Sequence, residues 1–262
     1  MSKRRPRPDD GLRIAGRNPV LEALAHRAAS LEKIYLQKGL SGSVIDEIAG
    51  KARAAGVPFQ FVPPQKLRAL AGDVNHQGVV AEATAVSYRD VDEMLSEIGP
   101  SLGHVQRSKP LLLVLDRIQD PHNFGAILRS AVAAGVSGVI VPDRDMAPVN
   151  TATMKTSAGM AQQIPIARVR RLPDVLHQLK ERGYWVIGAE GTAEQTMWNV
   201  DWDRPTALVM GGEDQGMRKA VADACDLHVR IPMSGAAESL NASVAAGVLL
   251  FVAQGFRAFE EE

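Results

Sequence analysis

The chain has a single cysteine, Cys225, in 262 residues. One thiol excludes an intramolecular disulfide and any cysteine-rich metal centre, and its expected role is that of a small buried apolar residue. No apolar run approaches the roughly 18 residues of a membrane span. The basic N-terminus, MSKRRPRPDDGLR, has no apolar core behind it, so it is not read as a signal peptide and the expected location is cytoplasmic. The six histidines are scattered, and no carboxylate–histidine cluster has metal-ligand spacing, so a metal-free site is expected. Net charge is also missing, since 30 Lys and Arg balance 30 Asp and Glu. The balance hides an asymmetry. Residues 1–89 carry 14 basic against 8 acidic side chains, and residues 90–262 carry 16 against 22. A basic half is a hint of a nucleic-acid or acidic partner, and a merely solvated basic surface is the competing reading.

What is present is ordinary for a globular α/β protein, with 45% apolar residues in a length that suits one large domain or two modest ones. Residues 1–11 lack periodicity and read as a disordered basic arm. From Ile14 the pattern is regular. Asn18-Pro19 reads as a helix start, Leu31–Leu36 as a strand, Ser43–Ala55 as a helix closed by Gly56, Phe59–Val62 as a strand, Pro64–Ala71 as a helix and Gly78–Val86 as a strand. This predicts a small α/β domain over 12–87. Gly99-Pro100, Gly103, Ser108 and Pro110 interrupt the next stretch, so 88–109 reads as a linker with one short helix in Tyr88–Ile98.

A second domain is expected over 110–262. Its strands are predicted at Leu111–Leu115, Gly138–Val141, Ile164–Val169, Trp185–Ala189, Ala207–Met210 and Leu227–Ile231. Its helices are predicted at Phe124–Ala134, around Thr151–Met160, at Leu172–Arg182 and at Ser239–Phe259. Apolar strands without alternation imply a parallel sheet covered on both faces. The last third repeats strand–loop–helix twice, so the loops Gly211–Gly216 and Pro232–Ser239 are expected at the carboxyl ends of neighbouring strands, where α/β proteins build small-molecule pockets. The loop Gly211–Gly216 matches neither a Walker loop nor the dinucleotide fingerprint, and DRIQDPHNFG after the first strand lacks the usual glycine spacing. Nucleotide hydrolysis is disfavoured. Asn123 is suited to capping the helix that follows, Arg129 is either a surface charge or a bidentate anion donor, and Glu213 sits near the dipole of the helix after it.

Three segments, NFGAILRSA (Asn123–Ala131), LVMGGEDQGM (Leu208–Met217) and IPMSGAAESLNASVAAG (Ile231–Gly247), together resemble the three signature motifs of the SpoU (TrmH) family of RNA ribose 2′-O-methyltransferases, of the SPOUT superfamily. IAGRNPVLEAL (Ile14–Leu24) and HQGVVAEA (His76–Ala83) resemble that family's ribosomal-protein-like RNA-binding domain. The resemblance implies an α/β chain with a deep trefoil knot in a parallel-sheet catalytic domain, S-adenosyl-L-methionine as methyl donor, and a homodimer. By position it makes Arg129, Asn123, Glu213 and Asn241 the catalytic set. Gly211, Ile231, Met233, Ser239 and Leu240 become the cofactor set, with Leu240 opening the last helix. Among members, the chain is most similar to those that modify a guanosine of large-subunit (23S) ribosomal RNA. Transfer RNA as the substrate, and an inactive RNA-binding protein of ribosome assembly, are the alternatives. A nucleotide-using small-molecule enzyme ranks last for want of any phosphate loop.

Overall fold

Successive residues of a strand point to opposite faces of its sheet. In Val79–Ala83, accordingly, Val79, Ala81 and Ala83 enter one core and Val80 another. The computed structural model in which this is seen describes residues 12–26, 28–40, 42–72, 74–84, 86–213, 215–235 and 239–256. The expected arm 1–11, Asp214, residues 236–238 of the second loop and the end of the expected last helix beyond Phe256 lie outside the described residues. The chain divides into two compact units, the first reaching Ser87 and including Pro148–Ala152, the second formed by Tyr88–Ala147 and the residues from Thr153 onward.

The first unit runs β1 (Leu12–Ala15), α1 (Arg17–His26), β2 (Leu31–Gln37), α2 (Ser43–Ala54), β3 (Phe59–Val62), α3 (Pro64–Ala71) and β4 (Val79–Ala83). Its sheet has the order β1-β4-β2-β3, antiparallel except for the β2–β3 pair. Val20 of α1 and Ile45, Ile48 and Ala52 of α2 cover one face with Ile34 and Leu36 beneath them, while Leu67 of α3 covers Tyr35, Val62 and Val80 on the other. Each such aliphatic side chain contributes roughly 1.5–3 kcal/mol by leaving water. Helix α1 begins at Arg17, ahead of the Asn18-Pro19 start expected.

The second unit opens with α4 (Val91–Ile98) and α5 (Leu102–Ser108), where a linker with one helix is expected. The Asp90 carboxylate caps α4 by accepting from the amides of Asp92 and Glu93 at 2.9 and 3.1 Å, and Ser101 Oγ accepts from the His104 amide at 3.2 Å to cap α5. Gly99 and Pro100 thus separate two helices. Met94, Leu95 and Val105 belong to this unit's core, so the segment is part of it.

There follow β5 (Leu111–Asp116), α6 (Pro121–Ala133), β6 (Gly138–Pro142), α7 (Thr151–Thr156), β7 (Ile166–Val169), α8 (Leu172–Glu181), β8 (Trp185–Ala189), β9 (Gln195–Thr196), β10 (Thr206–Gly211), α9 (Lys219–Ala222), β11 (Leu227–Arg230) and α10 (Ala242–Gly255). The sheet is parallel throughout, in the order β7-β6-β5-β10-β8-β11-β9. The strands that lead into the two glycine-containing loops, β10 and β11, are therefore not neighbours as expected; β8 lies between them. Apolar runs report burial, whereas strand order depends on the crossovers. The order places β10 against β5, where the first half of the sheet meets the second. Such a reversal is where open α/β sheets bind ligands.

Candidate active site

Strands β5 and β10 end level, with Asp116 paired in register to Gly211. Beyond Gly211 the chain doubles back, and the Gly216 amide donates to Gly212 O at 2.9 Å. A Cβ on Gly211 would lie 2.1 Å from the backbone of Gly216 and Met217, and one on Gly212 2.3 Å from Arg117 O, so the loop closes only with glycine at both places. It is anchored from below. The Asp116 carboxylate, fully buried, accepts the Arg218 amide at 2.7 Å and pairs with the Arg218 guanidinium, whose other arm reaches Asp145. Asp116 and Arg218 are absent from the residues picked out by sequence. The available signal was a charged residue closing the otherwise apolar strand LLLVLD.

Three of the four expected catalytic residues meet above this anchor. Glu213 Oε1 accepts from Asn123 Nδ2 at 2.9 Å, from Asn241 Nδ2, and from the Ala242 amide at 3.1 Å. Asn241 Nδ2 also donates to Asn123 Oδ1 at 3.1 Å, closing a triangle. The local structure explains the convergence. Asp120, not Asn123, caps α6, accepting the His122 amide at 2.9 Å, which leaves Asn123 in the first helical turn with its side chain directed at Glu213. Asn241 caps α10 through the Ser243 amide at 2.9 Å, so α10 opens at Ala242 rather than at Leu240. Glu213 therefore lies at the positive end of α10, not of the short α9 that follows it in sequence.

Two cavities flank the triangle. The one of about 310 Å³ is lined by all five expected cofactor residues, Gly211, Ile231, Met233, Ser239 and Leu240, with Met210 and Leu249 as apolar wall. The other, about 380 Å³, is lined by Arg117, Gln119, Asp120, Asn123, Asp145 and Gln215 among others. Gly212, Glu213, Gln215 and Ala242 line both. Glu213 is thus the partition between an apolar-walled cavity and a polar one.

Arg129 stands apart. It is exposed, lies about 120° around α6 from Asn123, and lines neither cavity. Cys225 is half-buried against the second unit's core, where burial pushes its thiol up to about 12 and Sγ contacts Val221 O at 3.4 Å. It is a neutral packing residue, not a nucleophile. Among the described residues, no group of three or more His, Cys, Asp or Glu side chains is placed to hold a metal ion.

The fold and site define a parallel-sheet α/β enzyme scaffold with paired cavities at a strand-order reversal, preceded by a separate α/β unit. The chain belongs to the SpoU rRNA Methylase family, which residues 110–251 match, while residues 13–89 match the family's RNA 2′-O ribose methyltransferase substrate binding domain. It is 43% identical, over 92% of its length and 94% of the relative's, to the 23S rRNA (guanosine-2′-O-)-methyltransferase RlmB of Ralstonia nicotianae. It is 36% identical, over 91% and 93%, to YacO of Bacillus subtilis, a putative TrmH family tRNA/rRNA methyltransferase. The SpoU methyltransferase AviRb of Streptomyces viridochromogenes, solved in complex with the cofactor AdoMet, superposes with a TM-score of 0.58 at 26% identity, covering 95% of this chain and 91% of that one.

Proposed function

We propose that the protein transfers a methyl group from S-adenosyl-L-methionine to a ribose 2′-hydroxyl of RNA, at a guanosine of 23S ribosomal RNA. The observation that carries this is the meeting of the 310 Å³ cavity, lined by Gly211, Ile231, Met233, Ser239 and Leu240, with the Asn123–Glu213–Asn241 triangle, in a chain whose relative RlmB is named for that reaction.

The cavity fits the donor chemically. Met210, Ile231, Leu240 and Leu249 offer apolar wall to an adenine, and the loop that closes at Gly211 and Gly212 adds backbone amides and carbonyls to the lining. Bound there, S-adenosylmethionine supplies a methyl group already activated on a sulfonium. The protein's part is positioning. Asn123 and Asn241 fix the Glu213 carboxylate, which holds the acceptor nucleoside at the partition. Holding reactants in line is worth roughly 7–11 kcal/mol in favourable intramolecular cases. Arg129 takes the RNA phosphate beside the target and stabilises charge developing on the 2′-oxygen. A guanidinium with a pKa above ~12 is suited to that role and ill suited to removing a proton.

Arg129 lies outside both cavities of its own chain, which supports a homodimer in which it serves the partner's site. The outer face of α10 supplies apolar surface for that contact, with Val244 51% and Phe251 49% exposed seven residues apart. A trefoil knot in the C-terminal segment belongs to the same reading, supported by the match of residues 110–251 to the SpoU family. Residues 12–87 serve as the RNA-binding domain and the second unit as the catalytic one. No described helix is long and apolar enough to cross a membrane. A cytoplasmic location belongs to the same reading, supported by the ribosomal RNA substrate proposed.

The test is label transfer from radioactive S-adenosylmethionine to unmodified ribosomal and transfer RNA, with Arg129→Ala as control. Label in 23S RNA, lost in the control, is the expected result. Label only in transfer RNA would move the substrate, and RNA binding with no label in either would leave an assembly protein.

A further inference from the structure

The polar cavity on the far side of Glu213 has no assigned occupant. Resting on the function just given, the geometry points to it as the receptacle for the target base, in which Asp145 and Arg117 select guanine.

The placement comes from the shared wall. An acceptor whose ribose reaches the partition at Glu213 has its base on the side away from the apolar-walled cavity, where Arg117, Gln119, Asp145 and Gln215 line the space. This lining is rich in groups that hydrogen-bond and poor in apolar surface, so it suits an object recognised by its polar edge.

Two of these residues are held in unusual backbone conformations. Arg117 has φ 63° and Asp145 φ 58°, both in the left-handed region, and neither is a glycine. Each side chain is held by a neighbour. Arg117 Nη1 donates to Gln215 Oε1 at 2.8 Å, and Asp145 Oδ2 accepts from Arg218 Nη2 at 2.5 Å, Arg218 itself being tied to the buried Asp116. The cavity thus presents a carboxylate and a guanidinium that are both preset. Strain of this kind persists where the surroundings over-determine it, and it gathers at ligand clamps.

Guanine is the base that this pair complements. Its Watson–Crick edge offers two adjacent donors, N1–H and the N2 amino group, which a carboxylate accepts together, and O6 and N7 accept from an arginine. Adenine turns an unprotonated N1 toward the carboxylate, so lone pair faces lone pair. Cytosine offers one amino donor beside an acceptor nitrogen, and uracil a single N–H between two carbonyls. A site built to hydrogen-bond an edge rejects the analogue that leaves its groups unpaired.

The test uses methyl transfer to a 23S RNA transcript whose modified nucleotide has been mapped with the wild-type protein and then replaced by A, C or U. Wild type is expected to prefer G. Asp145→Asn is expected to lower kcat/KM for the G transcript and to shrink the G-to-A preference by about 10- to 100-fold, the worth of one bidentate base contact. Asp145→Glu, which keeps the charge but moves the oxygens, is expected to fall between. S-adenosylhomocysteine affinity, measured on each variant, is expected to stay at the wild-type value and reports that the fold is intact. An unchanged G-to-A preference in Asp145→Asn overturns the assignment, as does a wild type that methylates all four transcripts alike. Loss of S-adenosylhomocysteine binding in Asp145→Asn also overturns it, by making the residue structural. A wild type that binds S-adenosylhomocysteine but methylates no RNA defeats the underlying function reading, a result distinct from the others.

Discussion

The buried carboxylate of Asp116 accepts the backbone amide of Arg218 at 2.7 Å, joining the end of β5 to the end of the glycine loop across 102 residues of chain. The same carboxylate pairs with the Arg218 guanidinium. Removing one partner of a buried ion pair leaves the other uncompensated, at a cost of about 3 kcal/mol for a pair with one arm partly in water. Arg218→Ala is therefore expected to lower the urea midpoint and, by loosening residues 211–217, to weaken S-adenosylhomocysteine binding. A variant with unaltered midpoint and affinity would show that the pair does not organise the loop.

Gly211 is the tightest position in that loop. A methyl group there would lie 2.1 Å from two backbone atoms, which nothing short of moving the loop relieves. Gly211→Ala should cost about 1–3 kcal/mol and abolish measurable S-adenosylmethionine binding by calorimetry. Retained binding would mean that the loop has another accessible shape.

Asn241 has two duties that substitution separates. As N-cap it accepts from the Ser243 amide, and as site residue its Nδ2 donates to Glu213 and Asn123. Serine caps a helix about as well as asparagine, whereas alanine loses about 1 kcal/mol. Asn241→Ser should keep wild-type stability yet lose turnover by on the order of 10², since it frees Glu213 to move. Equal activity in the serine variant would remove the triangle from the mechanism.

Arg129 acting across a dimer predicts complementation. Arg129→Ala and Glu213→Gln should each be nearly inactive alone. Mixed and refolded together, they should recover a fraction of wild-type transfer, because the hybrid dimer assembles one intact site. Glutamate at Phe251, on the exposed face of α10, should give a monomer in sedimentation and abolish recovery. No recovery from intact hybrid dimers would place Arg129 in the site of its own chain.

Alkaline pH tests the packing of the second unit. Burial raises the Cys225 thiol from 9.0 to about 12, and the Tyr184 phenol from 10.0 to about 12. Folding thus favours the neutral forms, and the resulting stability is intact below about pH 9 and lost as pH climbs toward 12. Cys225→Ala should flatten the decline of stability above pH 9. Tyr184→Phe should do likewise with no penalty at pH 7, because among the described residues that hydroxyl has no hydrogen-bond partner. Unchanged slopes in both variants would contradict the burial account.

Much of this architecture was legible because burial writes itself into sequence. LLLVL, GVIV, WVIGA and ALVM read as strands and lie within the strands observed. Asn123, Glu213 and Asn241 were legible only through motif resemblance. Nothing in spacing says that residues 123 and 241 share a hydrogen bond, since that depends on β10 lying beside β5. Strand order is illegible for the same reason, since β8 between β10 and β11 has no signature in either loop. The helix expected in Tyr88–Ile98 is α4, but Gly99, Pro100 and Gly103 hide α5, although Ser101 is a good cap, because breakers between two short helices look like breakers within a linker. Asp116 and Arg218 went unassigned because a buried pair is invisible until its partner is in place.

The central claim is chemical and can be read from the product. Unmodified 23S RNA incubated with the protein and S-adenosylmethionine, digested to nucleosides and analysed by mass spectrometry, should yield 2′-O-methylguanosine at one position and S-adenosylhomocysteine in equal amount. Methyl groups on a base, or no methylated nucleoside from either 23S RNA or assembling large subunits, would contradict the account.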